Sequence, residues 1–426
     1  MDGTSIVRRP PFGSNPLVGE RGSDTQRKIL TAALDVFAEV GFNEARVELI
    51  TTRAGCSRPA FYQYFSSKDD VFWQLAEQLG REMVQLGHRL DHVTEDARGI
   101  AALEAWIDEF MGLYEDYAPV FSAFQAASRD HEPMVQGSSG ISGRLGADLL
   151  GAFGIEGRSR RNATLAASVV AVLIRCSFYW RSLEATVDHD RLVTGLAQLV
   201  HRLLAGPIEG VNVHRRDIVD RDVPEVPVPD GNADATLRPR GQKTRQLLLD
   251  AGTEVLPARG YHDARVDDIV EAAGVSHGSF YRYFENKEDF FRVLAEEAST
   301  RMVELLDAFP LDAPEAALRS WLEEWFATYS SNGGVISTWQ EMQTVGDDLV
   351  SFGQEVAATI LARLMAMLDR RGFGDPLVDA LALLAVVERL PYSVFTLRFT
   401  KRADAIDAMV TIIRRGFLGH DVEAVA

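Results

Sequence analysis

Two short stretches, 219 residues apart, concentrate side chains able to grip phosphates and read base edges. The first holds Arg46, Ser57, Arg58, Tyr62, Gln63, Tyr64 and Lys68; the second holds Arg265, Ser276, His277, Ser279, Tyr281, Arg282, Tyr283 and Lys287. A guanidinium can meet a phosphate or guanine with two parallel hydrogen bonds, Gln can do the same for adenine, and Tyr and Lys reach phosphates singly. In each stretch the polar positions alternate at helical spacing with phenylalanines, Phe61 and Phe65 or Phe280 and Phe284, so one side packs and the other faces outward. Enzyme chemistry has no comparable support. There is no Gly-rich phosphate loop, HExxH or nucleophile elbow, and the 9 His are scattered, with Asp188-His189-Asp190 reading as an inter-helix turn. Cys56 and Cys176 are too few for a disulfide framework or zinc cluster. No catalytic residue, metal site or cofactor is expected.

These side chains need short helices to hold them. Ile29, Leu30, Ala33, Val36, Phe37 and Val40 recur every three to four residues and Gly41 stops that pattern, which predicts a first helix. A second follows over 47–54, Gly55-Cys56-Ser57 turns the chain, and Ser57 caps a third helix over 58–65. Two short helices joined by a three-residue turn containing Gly form the helix-turn-helix plan, whose second helix enters the major groove. Lys68 then opens a longer helix, where its ammonium and the positive helix end together suit a phosphate. Arg46 and Arg265 are either phosphate clamps or internal partners of nearby acids such as Glu48 and Asp268. Tyr62 and Tyr64 are read as DNA contacts. The basic residues before the heads, Arg8, Arg9 and Arg21, then Arg238, Arg240, Lys243 and Arg245, form either a minor-groove arm or a solvated tail.

At GCSRPAFYQYFSSKDDVF and, more strongly, GVSHGSFYRYFENKEDFF, the chain resembles the TetR family of repressors. The shared order is small residue, Ser, two variable residues, aromatic pair, Tyr-Phe and a following Lys. The resemblance implies an all-α unit with an N-terminal DNA-binding head, a ligand-responsive helical core, and dimerisation through a four-helix bundle of the last two long helices. Carried over by motif position, Arg58, Pro59 and Ala60 face base edges, Tyr62 and Gln63 reach bases or sugar-phosphate, and Tyr64 and Lys68 hold phosphates. In the second stretch these roles fall to His277, Gly278, Ser279, Tyr281, Arg282, Tyr283 and Lys287. The family often opens the second helix with small hydroxyl residues; here Ala45-Arg46 and Ala264-Arg265 stand there.

An internal repeat explains the doubling. Residues 25–72 align with 244–291 without a gap, and 19 of those 48 positions are identical. Weaker matches continue through the cores, where Trp106, Tyr114 and Gln125 meet Trp321, Tyr329 and Gln340, so a whole unit was duplicated. The expected organisation is a tail at 1–23, a head at 24–72, a regulatory core at 73–205, a linker at 206–241, a second head at 242–291 and a second core at 292–426. The 36-residue linker spans roughly 33 Å as a coil and about 110 Å extended, so it leaves the copies free to pack together. Net charge is -18, yet 1–72 holds 9 basic and 9 acidic residues and 238–291 holds 8 and 9. Near-neutral heads on acidic cores suit specific DNA binding with little nonspecific background.

The cores show helical periodicity throughout. Long closing helices are expected at 161–183 with 190–204, and at 377–398 with 403–417. Tethered copies bury these faces most simply against each other, as an intramolecular pseudo-dimer; a homodimer of whole chains with four heads is the competitor. Trp106, Phe110, Tyr114, Phe124, Trp321, Trp325, Tyr329 and Trp339 either line a pocket for an apolar effector or are plain core. Arg175 and Arg389 either anchor a polar ligand head or join paired interface charges. The apolar run 163–180 carries Arg175 and reads as a buried helix, and the N-terminus lacks the apolar segment of a secretory signal, which points to the cytoplasm.

Overall fold

The computed structural model describes residues 20–128, 132–155, 159–182, 188–206, 238–341, 347–369, 374–395 and 397–419, which are helical with no strand among them. The tail residues Arg8 and Arg9, nearly all of the expected linker, and the side chain of Trp339 lie outside the described residues. In chain order the first copy has α1 (Glu20–Glu44), α2 (Val47–Ala54), α3 (Arg58–Tyr64), α4 (Lys68–Gly87), α5 (Ala97–Asp116), α6 (Ala118–Ser128), α7 (Glu132–Ala152), α8 (Arg160–Ser182) and α9 (His189–Leu204). The second has α10 (Pro239–Asp263), α11 (Val266–Ala273), α12 (His277–Phe280), α13 (Lys287–Asp307), α14 (Glu315–Glu341), α15 (Asp347–Asp369), α16 (Pro376–Phe395) and α17 (Arg402–Ile412), followed by a π-turn at Ile413–Phe417.

The chain divides into two compact units, one of Met1–Leu86 with Glu109–Ile141 and one of Gly87–Asp108 with Ser142–Ala426. In the first unit α1 packs on α2 and α6. Phe37, Phe42 and Phe72 fill the space beneath the head, with ring centroids 5.0–6.4 Å apart. Gly41 sits at φ 74°, which ends the first helix where the apolar pattern stopped. Where copy two has the single helix α14, copy one breaks between α5 and α6. Pro119 stands at that break and lacks the N–H that continuous helix would need, whereas Gly333 and Gly334 let α14 run on.

In the second unit the closing helices of both copies form one bundle. α8 packs against α16 and α17, and α9 against α16 and the π-turn. Gly195 admits the closest approach: a Cβ there would meet Val378 at 2.7 Å. α8 is long and apolar enough to cross a membrane, but 56% of its apolar window is buried inside the protein, as befits a core helix. The observed bounds of the closing helices lie within one residue of expectation except at the end of α16 and in the π-turn.

Three buried polar clusters interrupt the bundle's apolar packing. Arg175 donates to Glu388 at 3.0 and 2.5 Å, and the Tyr179 hydroxyl donates to the same carboxylate. Arg202 makes a two-pronged contact with Asp379, both at 2.9 Å, and its Nε donates to the Gly416 carbonyl of the π-turn at 2.7 Å. Burial pushes the Asp379 carboxyl up to about 6 although Arg202 pulls it down. Arg191 holds Asp375 at 2.6 and 2.9 Å. Of the two readings of Arg175, the structure takes the paired interface charge, not a free ligand anchor.

Candidate nucleic-acid interface

Both heads expose one polar face built in the same way. Ser57 caps α3 through its Oγ, which accepts from the Ala60 N–H at 3.2 Å, and Pro59 suits the first turn because its missing N–H has no helical partner. Phe61 and Phe65 are fully buried, as are Phe280 and nearly so Phe284, which fixes the opposite faces outward. Tyr62 is 50% exposed and Tyr281 52%, large apolar rings left in solvent at equivalent positions. Arg58, Pro59 and Gln63 are exposed with them, as are His277, Gly278 and Arg282; Ala60, Tyr64, Ser279 and Tyr283 are half-buried.

The copies differ in the length of the third helix. α3 has seven residues, but α12 closes after four, with Tyr281 as its C-cap. Gly278 replaces Pro59 in the first turn, and the Ser276 Oγ bonds the Ser279 Oγ at 2.8 Å, not a backbone N–H. A flexible residue and a lost cap both shorten a helix.

The residues that open the two recognition helices are not free. Arg58 pairs with Glu48 at 2.8 Å, and His277 pairs with Asp267 at 3.0 Å, the same two positions in each copy. The phenol of Tyr62 and then Glu48 hold the Arg58 guanidinium in its charged form. Of the acids that the internal-pair alternative offered to Arg46 and Arg265, Glu48 is taken by Arg58, and Asp268 pairs with Arg259 at 2.9 Å and accepts from the Arg265 backbone N–H at 2.9 Å. Arg46 and Arg265 stand exposed at the N-caps of α2 and α11, with no ion pair among the described residues.

Two expectations need correction. Lys68 and Lys287 were expected to hold phosphates, but each ammonium is turned inward. Lys68 donates to the carbonyls of Phe42 at 2.7 Å and Asn43 at 2.9 Å, and lies 4.8 Å from the Phe42 ring centroid. Lys287 repeats this with Tyr261 at 2.7 Å, Ala264 at 3.0 Å and the Tyr261 ring at 4.4 Å. Burial lowers both pKa values. These lysines tie the third and fourth helices of the head to the end of the first, where unsatisfied carbonyls collect. The second correction concerns the tract before head two: Arg240, Lys243 and Arg245 lie within α10, not in an extended arm, and Arg245 is buried against Phe284 and Glu297.

The aromatic candidates in the cores are packed. Trp106, Phe110, Tyr114, Trp321, Trp325 and Tyr329 are buried, and Phe124 is half-buried against Trp73. The indole N–H groups of Trp321 and Trp325 are taken by the carbonyls of Leu305 and Val387, at 2.8 and 2.7 Å. Arg389 lies over the Tyr392 ring at 4.6 Å. A small apolar cavity instead lies in the bundle, between Leu173, Leu196, Leu199, Val386, Ile412 and Phe417, and touches none of the candidates.

The family model for bacterial regulatory proteins of the tetR family matches residues 29–75 and 248–294, the two segments just described. By these two matches the chain carries two DNA-binding heads of the TetR family of transcriptional regulators in tandem. This is a family of regulators, not of enzymes. Among curated relatives, the chain is 41% identical over 123 residues to the transcriptional regulator AcuR of Cereibacter sphaeroides, covering 26% of this chain and 56% of that protein. It is 27% identical over 196 residues to the transcriptional activator FasR of Mycolicibacterium smegmatis, covering 44% of this chain and 87% of that protein. Among solved structures, FadR from Bacillus subtilis in complex with stearoyl-CoA covers 41% of this chain and 99% of its own, at 19% identity and a TM-score of 0.32. A TetR head binds DNA, and the exposed Tyr, Arg and Gln side chains are of the kinds that do so.

Proposed function

We propose that this DNA-binding regulator works as an intramolecular pseudo-dimer whose two non-identical heads read an asymmetric operator. The observation that carries this reading is the bundle: α8 and α9 of one copy bury their apolar faces against α16 and α17 of the other, the role a second subunit would otherwise fill. The outward sets differ, Arg58, Pro59, Ala60 and Gln63 against His277, Gly278, Ser279 and Arg282, so the half-sites differ in sequence. Selection of sites from random DNA, with the mass of the complex measured in solution, tests it. The expected result is one chain on two unlike half-sites; a perfect palindrome bound by two chains overturns the reading. Tyr62→Ala and Tyr281→Ala should each weaken specific binding more than about tenfold at matched salt with the fold intact, in line with the loss of a central contact. A head whose variant binds like the parent is not a reading head.

The effector we propose is an apolar small molecule that favours a core arrangement unsuited to DNA. The support is the aromatic density of both cores and a relative, 38% identical over 60 residues, named the fatty acid metabolism regulator protein of Bacillus subtilis. The candidate aromatics of both cores are packed, so an effector among them has to displace core side chains. A coupling of about 1–3 kcal/mol is enough for release. Acyl compounds that raise the unfolding midpoint should also lower DNA affinity; stabilisation with unchanged affinity across a broad lipid library counts against it.

A further inference from the structure

Among the described residues, the ion pairs that join the copies across the bundle are sorted by copy. In each of four pairs that join the copies, the cation is an arginine of copy one and the anion a carboxylate of copy two: Arg160 with Asp404, Arg175 with Glu388, Arg191 with Asp375, and Arg202 with Asp379. α8 carries no acidic residue at all. On the closing helices of copy two, Arg402 and Arg414 turn to their own copy, to Glu323 and Glu315.

Alignment of the closing helices at an offset of 213 to 214 shows why the sorting matters. Arg175 and Tyr179 correspond to Glu388 and Tyr392, so Arg175 faces its own counterpart across the pseudo-twofold axis. Arg191 corresponds to the neighbourhood of Asp404, and Arg160 to that of Asp375, so these two pairs are mirror images of one contact. If two first copies paired, Arg175 would face Arg175 and Arg191 would face Arg160. If two second copies paired, Glu388 would face Glu388 and Asp375 would face Asp404. Either arrangement sets like charges against each other at the axis and at the two flanks of Arg160 and Arg191, and at the axis they are buried with side chains only 11% and 9% exposed; the fourth pair lies outside this argument, because Arg202 and Asp379 correspond to Arg415 and Ala166. A buried charge without a partner is strongly destabilising, while a buried pair adds little stability beyond an apolar substitute. The pairs therefore act on the choice of partner.

We propose that this surface is a pairing code: the closing face of copy one accepts only the closing face of copy two, and rejects copies of itself. The partner it fits is an acidic copy-two face, in the same chain or, where that is denied, in another chain. This rests on the pseudo-dimer reading, but it concerns which faces pair and not which DNA is bound.

The test uses the full chain in three forms. Arg175→Glu buries two carboxylates at the axis and Glu388→Arg two guanidiniums, and each should lower the unfolding midpoint by about 5–10 °C. The chain with both changes restores an opposite pair and should recover most of the loss. Coexpressed with different mass tags, the two single variants should form a mixed complex of two chains, because each now offers the charge that the other lacks; this readout stands even where a single variant does not fold alone. The parent should give no complex between tagged and untagged chains. Single variants as stable as the parent, a double variant no better than the worse single, or no mixed complex on coexpression would each overturn the code. A palindromic operator found with the pairing results intact would instead sink only the DNA reading.

Discussion

Lys68 and Lys287 show how one residue type at one motif position can serve either of two masters. An exposed ammonium at a helix N-terminus suits a phosphate, but these two spend their donors on carbonyls 23 to 26 residues earlier in the chain. Arg46 and Arg265 are the reverse: an internal salt bridge was open to each, and each remains exposed. The two kinds of cation should separate in measurement. Lys68→Met is expected to cost about 1 kcal/mol of stability by leaving the Phe42 and Asn43 carbonyls without the ammonium, with little effect on the salt dependence of DNA binding. Arg46→Ala is expected to leave stability unchanged and to lower the slope of log affinity against log salt by about one. Thermal unfolding and fluorescence anisotropy at several salt concentrations supply both numbers. A Lys68 variant with parental stability and a reduced slope would return that lysine to the phosphate.

At the scale of elements, what the sequence discloses follows the range of the forces involved. α2 and the N-cap of α3 are local: a short apolar period, a glycine in the left-handed region at Gly55 and a capping serine define them, and the structure places them at the expected residues. The closing helices are legible for the same reason, since their apolar faces recur over several turns. The inward turn of Lys68, the pairing of Arg58 with Glu48 and the π-turn that presents the Gly416 carbonyl to Arg202 depend on contacts between distant segments, which no local pattern encodes. The acidic residues at 48 and 267 did carry a signal, being acidic in both copies of the repeat. α12 lies between these cases, because Gly278 weakens it locally while the motif calls for a longer helix. A Cβ at Gly278 would meet nothing within 4 Å, and its φ is not in the left-handed region. Gly278→Ala should therefore stabilise the second head by about 0.5–1 kcal/mol and protect the amides of Tyr281 to Tyr283 from exchange. Lower stability, or unchanged exchange, would mean that the short helix is imposed by its surroundings and not by the glycine.

At the scale of the whole molecule, tandem duplication frees the two heads to diverge, since a homodimer repeats one recognition helix and favours a palindrome. On the proposed pairing of unlike copies, that freedom becomes an ordered reading frame, with head one on the same half of the site. Gln63 and Arg282 occupy equivalent exposed positions, and neither has an ion pair among the described residues. Gln pairs with adenine through two hydrogen bonds and Arg with guanine. Exchanging them, Gln63→Arg together with Arg282→Gln in one chain, should move the guanine preference from one half-site to the other at a single base pair in each. Restoring the matched base should recover about 1–3 kcal/mol of binding per contact. Competition binding with four operators, carrying either base at either position, measures both shifts independently. If the exchanged chain keeps the parental preference in both halves, residues 63 and 282 do not read bases, and discrimination between the halves must come from Arg58 and His277 or from the deformability of the DNA itself.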